Sequence, residues 1–383
     1  MRLILFSHKL FYRTPSGLQT TGAFTLQMDA LAYHCHQLTL CVPVTDDASF
    51  QGVSVTAPNI NFHPLPAFVG RTGAIRNIPA LRREILAAMS RADLGLVILP
   101  GYFEMLASWV CQRRNFPLFQ WVVGDWRENV RSRRPSSWWT NRWTWLLDLL
   151  IARLTRDVLT FFNGRILYHN SPPPHHHTRT SSSIRLEDIT ERSTAIPLAP
   201  PYRLLFVGRL AAEKGVAHLL EALTFLADEP AELHLVGSGE QAELLEQQVQ
   251  RLVLADRVHF HGFVPHGPDL YRLFAQSDLF ILPALQDQQP KVLMEAMSQS
   301  VPVIATQVGG IPSVITEGEN GLLVPPAEPQ AIATAVRRLL HDNDLRTHLV
   351  KNGLAYVGQR TVEAETERMM RIVKQHFTHL ESP

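Results

Sequence analysis

Two cations in the second half of the 383-residue chain stand where they could hold one anion. Arg209 and Lys214 lie five residues apart, directly after an apolar segment that ends at Val207. A guanidinium offers a planar fork of donors and an ammonium a point charge, which together suit a diphosphate that leaves with negative charge. Taken singly, either residue is better read as a solvated loop cation, so the prediction depends on their convergence.

Two carboxylates follow a later apolar segment of the same half. Asp287 lies in a loop after residues 279–282, and Glu295 lies on the helix that this loop enters. Carboxylates accept hydrogen bonds from sugar and ribose hydroxyls, and the helix N-terminus adds positive potential for a phosphate. Glu295 could equally be a surface residue of its helix. Its neighbours Leu293 and Ala296 are apolar, however, and a carboxylate on a buried helix needs partners.

Glycines follow two of the apolar segments in this half. Gly208 permits a tight turn and a close approach of backbone to a ligand. Gly237 and Gly239 form a Gly-x-Gly turn between an apolar segment and a helix, which allows backbone to approach a phosphate or a base. Alone this turn is weak evidence, because some Gly-x-Gly turns only change the direction of the chain.

The first half offers one carboxylate in a comparable position. Asp125 follows the apolar segment 118–123, and a carboxylate beyond the end of a parallel strand lies at the ligand-binding edge of the sheet. It could position or deprotonate an attacking hydroxyl. It could equally cap the next helix or pair with Arg127, and the sequence favours neither interpretation.

Tryptophan and arginine are concentrated in one segment. All seven tryptophans lie between Trp109 and Trp145, and residues 113–156 carry nine arginines against three acids. Indoles at an interface and arginines near lipid phosphates are typical of a peripheral membrane patch. The alternative is a tryptophan-rich helix packed in the core with arginines on its outer face. The residues predicted to contact an acceptor or the membrane are Arg131, Arg133, Arg134, Trp138 and Trp139.

The candidate residues lie in a chain whose short apolar segments alternate with segments of helical periodicity, and the elements formed by these segments must position them. Apolar runs without alternation fit strands buried on both faces, and strand–helix alternation implies a parallel sheet in an α/β fold. Strands are predicted at residues 3–6, 38–44, 94–99 and 118–123, and then at 203–207, 232–236, 258–260, 279–282 and 301–305. Ligands of such doubly wound, Rossmann-like sheets bind beyond the carboxyl ends of the strands.

A proline-, histidine- and serine-rich segment, residues 170–201, separates the two halves. Its composition predicts a loop or linker. Its triple histidine, residues 175–177, is predicted to be a solvated loop rather than a metal site, because no carboxylate or cysteine stands beside it. The chain is therefore expected to form an acceptor-side domain, residues 1–198, and a donor domain, residues 199–360. A helix within 361–383 is expected to pack back on the first domain.

Composition excludes several classes of protein. A formal net charge of +1 gives no global field for nucleic acid, and three cysteines without a Cys-x-x-Cys pair fit a reducing compartment. The first apolar run, Leu3 to Phe6, is too short for a signal peptide, and no run reaches the ~20 apolar residues that span a bilayer. A cytoplasmic location is expected, with peripheral contact at the inner face of the membrane as an extension of it.

Several motifs in order resemble the donor domain of the large retaining GT-B glycosyltransferase family four, of the group 1 type. The resemblance covers residues 202–345. Its motifs are Gly208-Arg209 with Lys214-Gly215, Gly237-x-Gly239, Asp287 to Glu295, Val301-Pro302-Val303-Ile304-Ala305, Gly309-Gly310-Ile311-Pro312 and Gly318-x-Asn320-Gly321 through Pro325.

The resemblance implies two Rossmann-like domains facing a cleft, a UDP- or GDP-sugar donor and retention at the anomeric carbon. It implies that Arg209 and Lys214 bind the donor diphosphate, that Glu295 holds the ribose hydroxyls and that Asp287 contacts the transferred sugar. The segment Gly262-Phe263-Val264 would receive the nucleobase. The expected donor-binding set is completed by Gly208, Gly237, Gly239, Val292, Leu293 and, in an N-terminal loop, Gly17.

The chain departs from the family pattern at the sugar-contacting positions. Asp287 stands where glutamate is usual, Gln288-Gln289 replaces a Gly-Phe pair or similar, and Ser313 stands where an acidic residue is common. These changes affect the identity of the sugar more than nucleotide binding.

The function expected is transfer of a sugar to a glycan or lipid-linked acceptor in polysaccharide or glycoconjugate synthesis. Fixed cations and a helix N-terminus can stabilise the leaving group, so no metal and no cofactor are expected. The alternatives are a non-catalytic sugar-nucleotide-binding subunit and a nucleotide-sugar epimerase of the same fold.

Overall fold

The strands of the chain form two separate sheets. The computed structural model describes residues 1–21, 24–66, 77–123, 138–163, 175–179, 182–192, 198–287 and 290–378. The chain divides into a first unit, residues 1–181 with 365–383, and a second unit, residues 182–364. This division falls at 181/182, whereas the sequence placed the domain boundary at 198/199.

The first unit is built on a mostly parallel sheet in the order β10-β9-β8-β7-β1-β4-β2-β3-β5, with β6 also paired to β4. Its described strands are β1 Arg2–Phe6, β2 Phe11–Thr14, β3 Gly17–Thr20, β4 Gln37–Asp46, β5 Val53–Ser54, β6 Ile60–Pro66, β7 Leu94–Leu99, β8 Leu118–Val122, β9 Leu159–Asn163 and β10 His176–Arg179. Its described helices before the second unit are α1 Phe24–Ala32, α2 Ile78–Met89, α3 Tyr102–Arg113 and α4 Trp138–Thr155.

The second unit is built on a parallel sheet in the order β13-β12-β11-β14-β15-β16. Its described strands are β11 Tyr202–Val207, β12 Ala231–Val236, β13 Val258–Gly262, β14 Leu279–Leu282, β15 Val303–Thr306 and β16 Leu322–Val324. The helices that follow in the chain are α5 Val216–Thr224, α6 Ala242–Arg251, α7 Pro268–Ala275, α8 Lys291–Ser298, α9 Pro329–His341, α10 Asn343–Gly358 and α11 Val362–His376.

Burial explains why these segments become strands. Every residue of β7, β8, β9 and β14 is buried, as expected for central strands covered by helices on both faces. The prediction of an α/β fold with two Rossmann-like parallel-sheet units is confirmed. The first sheet also contains antiparallel pairs, β2 with β3 and β3 with β5, that the sequence did not predict. Their short, polar sequences give no continuous apolar run.

The triple histidine is not a solvated loop, and that prediction was wrong. His176 and His177 belong to β10, which extends the first sheet beside β9, and His176 is buried. The Nε2 atom of His176 lies 2.9 Å from the carbonyl oxygen of Thr155. Composition alone missed this strand, because the prediction weighed only a solvated loop and a metal site and did not consider a buried histidine that pairs with backbone.

Helix α11 brings the end of the chain onto the first unit. From residue 365 onward the chain belongs to that unit, and Met369, Met370 and Val373 pack into its core. Among the described helices, none has the length and apolar character needed to cross a membrane.

Candidate active site

The second sheet reverses its direction of growth between β11 and β14. The chain builds β11, β12 and β13 toward one edge, then returns to the other side of β11 with β14, β15 and β16. At such a switch point the loops after the two central strands diverge and leave room for a ligand. Here these loops are residues 208–215, after β11, and the described residues 283–287, after β14.

An ion pair joins these two loops. The Nζ atom of Lys214 donates to Oδ2 of Asp287 at 2.7 Å, although the residues are 73 positions apart in the chain. The two side chains are 21% and 9% exposed. The structure therefore brings together one predicted cation and one predicted carboxylate at the switch point, with the ammonium held by a nearly buried counter-charge.

Backbone hydrogen bonds tie three neighbouring loops to each other around this pair. The amides of Leu285 and Gln286 donate to the carbonyl of Glu213 at 2.8 and 3.1 Å. The amide of Gly310, after β15, donates to the carbonyl of Asp287 at 2.7 Å. The loop after β14 is thus fixed on both sides, so the position of Asp287 is determined by backbone as well as by its ion pair.

The motif glycines are required by contacts between loops. Gly215 has a φ of +66°, and a Cβ there would lie 2.1 Å from the carbonyl oxygen of Pro283. Gly237 has a φ of +142°, and a Cβ there would lie 1.8 Å from the carbonyl oxygen of Gly208. These glycines therefore let adjacent loops pack closely. Gly239 is similar, since its Cβ would lie 2.3 Å from the carbonyl oxygen of Leu210.

Arg209 makes a different contact from the one expected. Its guanidinium forms an ion pair with Glu213 of the same loop, and its side chain is largely exposed. The described contacts therefore join Arg209 to Glu213 and Lys214 to Asp287, rather than both cations to one group. The convergence of the two cations on an anion stays a prediction.

Glu295 faces the segment after β13. Its Oε1 accepts a hydrogen bond from Oγ of Ser183 at 2.7 Å and lies 3.7 Å from Nε2 of His266. The same Nε2 lies 3.1 Å from the hydroxyl of Tyr271. The predicted nucleobase segment lies just before His266, and there Phe263 is 72% exposed. Sequence reasoning missed Ser183 and His266, which are 112 and 29 residues from Glu295.

Tyr271 lies in the same cluster of polar side chains as Glu295 and His266. Burial, together with the negative charges of Asp188 and Glu295, raises the pKa of its phenol well above the usual value. The hydroxyl therefore remains a neutral donor beside the carboxylate and the imidazole. The carboxylate of Glu295 thus lies among polar side chains, and Glu295 is not a surface residue of its helix.

Two other residues that were predicted to bind the nucleotide-sugar donor lie at the start of α8. Leu293 is fully buried in the core of the second unit, and its amide donates to the carbonyl of Pro290 at 3.1 Å. Val292 is partly buried against the same core. The structure gives their side chains a packing role, and a contact with a donor stays a prediction.

The first sheet also reverses, between β1 and β7, and a second charged pair spans that point. His8, after β1, points Nδ1 and its backbone N–H at Oε1 of Glu104. Glu104 is fully buried in the first turn of α3, where the helix dipole favours an anion. Its Oε2 makes no hydrogen bond with any described residue. The hydrogen bond from His8 to Glu104 raises the pKa of His8 above its usual value.

Sequence reasoning missed this pair. His8 and Glu104 are 96 residues apart. The available signal was position, because Ser7-His8-Lys9 directly follows a buried first strand. An exposed imidazole held by a buried carboxylate can accept or donate a proton at a fixed place.

The remaining predicted residues of the first half are less informative. Gly17 has a φ of +115° and opens β3 in the tight hairpin with β2, which by itself explains a glycine there. Asp125, Arg131, Arg133 and Arg134 lie outside the described residues, as do the side chains of Trp138 and Trp139. Their roles stay predictions.

The sequence Asp342-Asn343-Asp344 has the Asp-x-Asp form that can bridge a metal to a diphosphate. In the structure it is the start of α10, where the side chain of Asp342 caps the helix by accepting from the amide of Leu345 at 2.9 Å. The structure thus gives Asp342 a capping role.

Replacement of Gly215 by alanine is expected to destabilise the second unit more than the same change at Gly318. Both have a similar left-handed φ, +66° and +73°, but only Gly215 faces a backbone oxygen, whereas Gly318 faces open space. We expect a loss of about 1–2 kcal/mol for Gly318→Ala and about 2–5 kcal/mol for Gly215→Ala. Urea unfolding followed by circular dichroism measures both losses. Tryptophan fluorescence would not report on the second unit, because every tryptophan lies in the first unit. Equal losses would contradict the contact with Pro283.

His8 is expected to titrate above the ordinary histidine pKa of about 6.5. Because the folded pKa is raised, the stabilisation is fully present below about 6.5 and is lost as the pH rises through the raised value. NMR titration of the His8 ring measures it, and Glu104→Gln should return the pKa toward the ordinary value. A His8 pKa that does not change in Glu104→Gln would exclude the pairing.

A family model matches most of the second unit. Residues 190–355 match the model described as glycosyl transferases group 1. An uncharacterized glycosyltransferase of Methanocaldococcus jannaschii is 35% identical over 150 residues, which are 39% of this chain and 38% of that protein. The chain spans less than half the length of the curated relatives that it matches.

Solved structures extend the likeness to both units at the level of fold. Sucrose-phosphate synthase from Thermosynechococcus elongatus has a TM-score of 0.73 and 21% identity, and the match covers 99% of this chain and 100% of that chain. HepE from Anabaena in complex with UDP has a TM-score of 0.70 and 18% identity over 98% of this chain and 100% of that chain. The chain thus has the GT-B fold, and its residues 190–355 are similar to the group 1 glycosyl transferases.

Proposed function

We propose that the protein is a glycosyltransferase that moves a sugar from a nucleotide sugar to a glycan or lipid-linked acceptor in glycoconjugate synthesis. One observation carries the proposal: the ion pair of Lys214 and Asp287 lies at the switch point of a sheet whose residues match the model of the group 1 glycosyl transferases. A cation fixed at that position serves a phosphate-bearing ligand, because ligands of doubly wound sheets bind there.

Lys214 would stabilise the diphosphate as it leaves. An ammonium carries three donors, and the one directed at Asp287 leaves two for diphosphate oxygens. Because Asp287 already orients the ammonium, little reorganisation is needed when charge develops in the transition state. Arg209, five residues earlier, would add a second cation from the same loop.

The two carboxylates would bind opposite ends of the donor. Asp287, beside the ammonium, would accept hydrogen bonds from the transferred sugar. Glu295, beside His266, would accept them from the ribose, with the exposed Phe263 near the nucleobase. The donor proposed is a UDP- or GDP-sugar, and the similar Anabaena protein, solved in complex with UDP, supports the former.

We propose retention of the anomeric configuration, on the basis of the family resemblance, and a reaction without metal. The residues present can supply the necessary positive charge, since two cations lie in the loop after β11 and the N-terminus of α8 follows the neighbouring loop after β14. Asp125 would position the acceptor hydroxyl in this scheme.

Two alternatives remain distinguishable by activity. A non-catalytic sugar-nucleotide-binding subunit would bind the donor without turning it over in the presence of acceptor. An epimerase of the same fold would convert a nucleotide sugar without any acceptor. A panel of UDP- and GDP-sugars, assayed with and without glycan or lipid-linked acceptors, separates all three.

Replacement of Lys214 by alanine is expected to lower kcat about 10²–10³-fold, because a fixed donor to the leaving group is lost. Donor binding should weaken much less than turnover. Steady-state transfer with the active donor, together with isothermal titration with UDP, measures the two effects separately.

The matched control is Lys351→Ala, a change at an exposed lysine on α10. Its kcat should equal that of the wild type. A Lys214→Ala protein that is folded and as active as Lys351→Ala would overturn the proposed role of the ion pair.

An exposed apolar stripe on α4 favours an acceptor at a membrane surface. Trp145, Leu146, Leu149 and Leu150 are 42–59% exposed, whereas Leu147 and Leu154 on the other side of the helix are buried in the core. Positions three and four apart share one face of a helix, so the four exposed side chains form a single stripe. Exposed Arg142 and Arg153 continue this face at either end. We propose that this stripe inserts between lipids, with the arginines near phosphates.

The double variant Trp145→Ser, Leu149→Ser is expected to bind anionic vesicles at least tenfold more weakly than the wild type, because each large apolar side chain contributes more than 1 kcal/mol when buried. Co-sedimentation with phosphatidylglycerol vesicles measures the affinity. The control is Leu186→Ser, which changes a 66% exposed leucine in the second unit. Unchanged vesicle binding by the double variant would remove the membrane proposal.

A further inference from the structure

One face of the second sheet carries four metal-ligating side chains that the proposed reaction does not use. Glu232 and His234 lie two residues apart on β12, and His259 and His261 lie two residues apart on β13. Glu232 and His234 share one face of β12, and His234 stands opposite His259 in the parallel register. A register shift follows Phe260, and His261 lies on the same face, with its Nε2 2.9 Å from Nδ1 of His234. The fold therefore places one carboxylate and three imidazoles side by side.

Three of these side chains are already spaced like ligands of one ion. Oε2 of Glu232 lies 3.8 Å from Nε2 of His234 and 3.6 Å from Nε2 of His259. A ligand atom from each of the three residues lies within 4.8 Å of the other two. Ligand atoms about 2.0–2.2 Å from a tetrahedral zinc lie roughly 3.3–3.5 Å from one another. Small side-chain rotations would close the remaining gap, with no change in backbone.

The burial and hydrogen bonding of the two ring nitrogens of His234 suit a metal ligand. Its Nε2 is buried and makes no hydrogen bond with any described residue. Its other nitrogen, Nδ1, lies 2.9 Å from Nε2 of His261. A proton on Nδ1, donated to His261, leaves the lone pair of the buried Nε2 directed toward Glu232. A hydrogen bond of this kind on the second ring nitrogen is the usual support of a metal-bound histidine.

Burial distinguishes this group from a solvated histidine face. Such a face would leave Nε2 of His234 in contact with water, whereas this atom is buried.

We propose that Glu232, His234 and His259 bind one divalent transition-metal ion of the zinc type, with His261 as the residue that orients His234. Two imidazoles and one carboxylate suit zinc, and water would fill the fourth position. The ion would join β13, the edge strand, to β12. Since His261 directly precedes Gly262 and Phe263, the site would also fix the start of the segment predicted to meet the nucleobase. It takes no part in leaving-group chemistry.

Isothermal titration of the full chain with Zn²⁺, after treatment with a chelator, tests the proposal. We expect one site of 1:1 stoichiometry that is lost in the double variant Glu232→Gln, His259→Gln. His261→Gln should keep the stoichiometry and weaken the affinity about 10–100-fold, as for other orienting residues. His348→Gln, a change at a half-exposed histidine on α10 that pairs with Glu319, should bind like the wild type.

Cobalt gives a second, spectroscopic measurement of the same site. Co²⁺ bound at the site should show the visible absorption of low coordination number in the wild type and in His348→Gln, and not in the double variant. Circular dichroism would show that the double variant is folded; His259→Gln alone, at a partly exposed position on the edge strand, is the substitute if it is not. Absence of a stoichiometric site in the wild type, or its persistence in the folded variant, would overturn the proposal.

Discussion

The ion pair between Lys214 and Asp287 is the interaction on which the site of the second unit depends. It connects the ends of β11 and β14, which lie side by side because the sheet reverses its growth between them. A lysine that is 21% exposed beside a carboxylate that is 9% exposed is costly to separate, since each would leave the other as an uncompensated charge. The pair therefore fixes the geometry of the switch point before any ligand binds.

A different pair of polar side chains connects the corresponding strands of the first unit. His8 and Glu104 join the ends of β1 and β7, again the strands between which the sheet reverses. There the buried partner is an anion in the first turn of a helix, and the exposed partner is an imidazole whose charge depends on pH. Both units thus place a polar, preorganised pair where parallel-sheet topology leaves room for a ligand.

The sequence predicted what local patterns encode and missed what distant contacts determine. Strand β14 was predicted at its observed bounds, because a fully buried parallel strand is a continuous apolar run. Lys214 and Asp287 were both singled out, since each follows a predicted strand. The pair of His8 with Glu104 was missed, because 96 residues separate two side chains with no shared motif. Arg209 was expected beside Lys214, but Glu213, four residues away, offers a carboxylate within its own loop.

The two cations of the β11 loop would respond differently to a bound diphosphate. The pair of Arg209 with Glu213 is exposed, and exposed pairs contribute only about 0–1 kcal/mol, so an incoming dianion can displace Glu213 at little cost. Lys214 is held by a nearly buried aspartate and by a loop fixed through backbone hydrogen bonds on both sides. Binding of the proposed donor would therefore move Arg209 toward the phosphates while Lys214 stays in place. Asp287 is one methylene shorter than the glutamate that is usual at this position in the family. The transferred sugar would therefore have to approach the fixed ammonium of Lys214 closely to reach the carboxylate of Asp287.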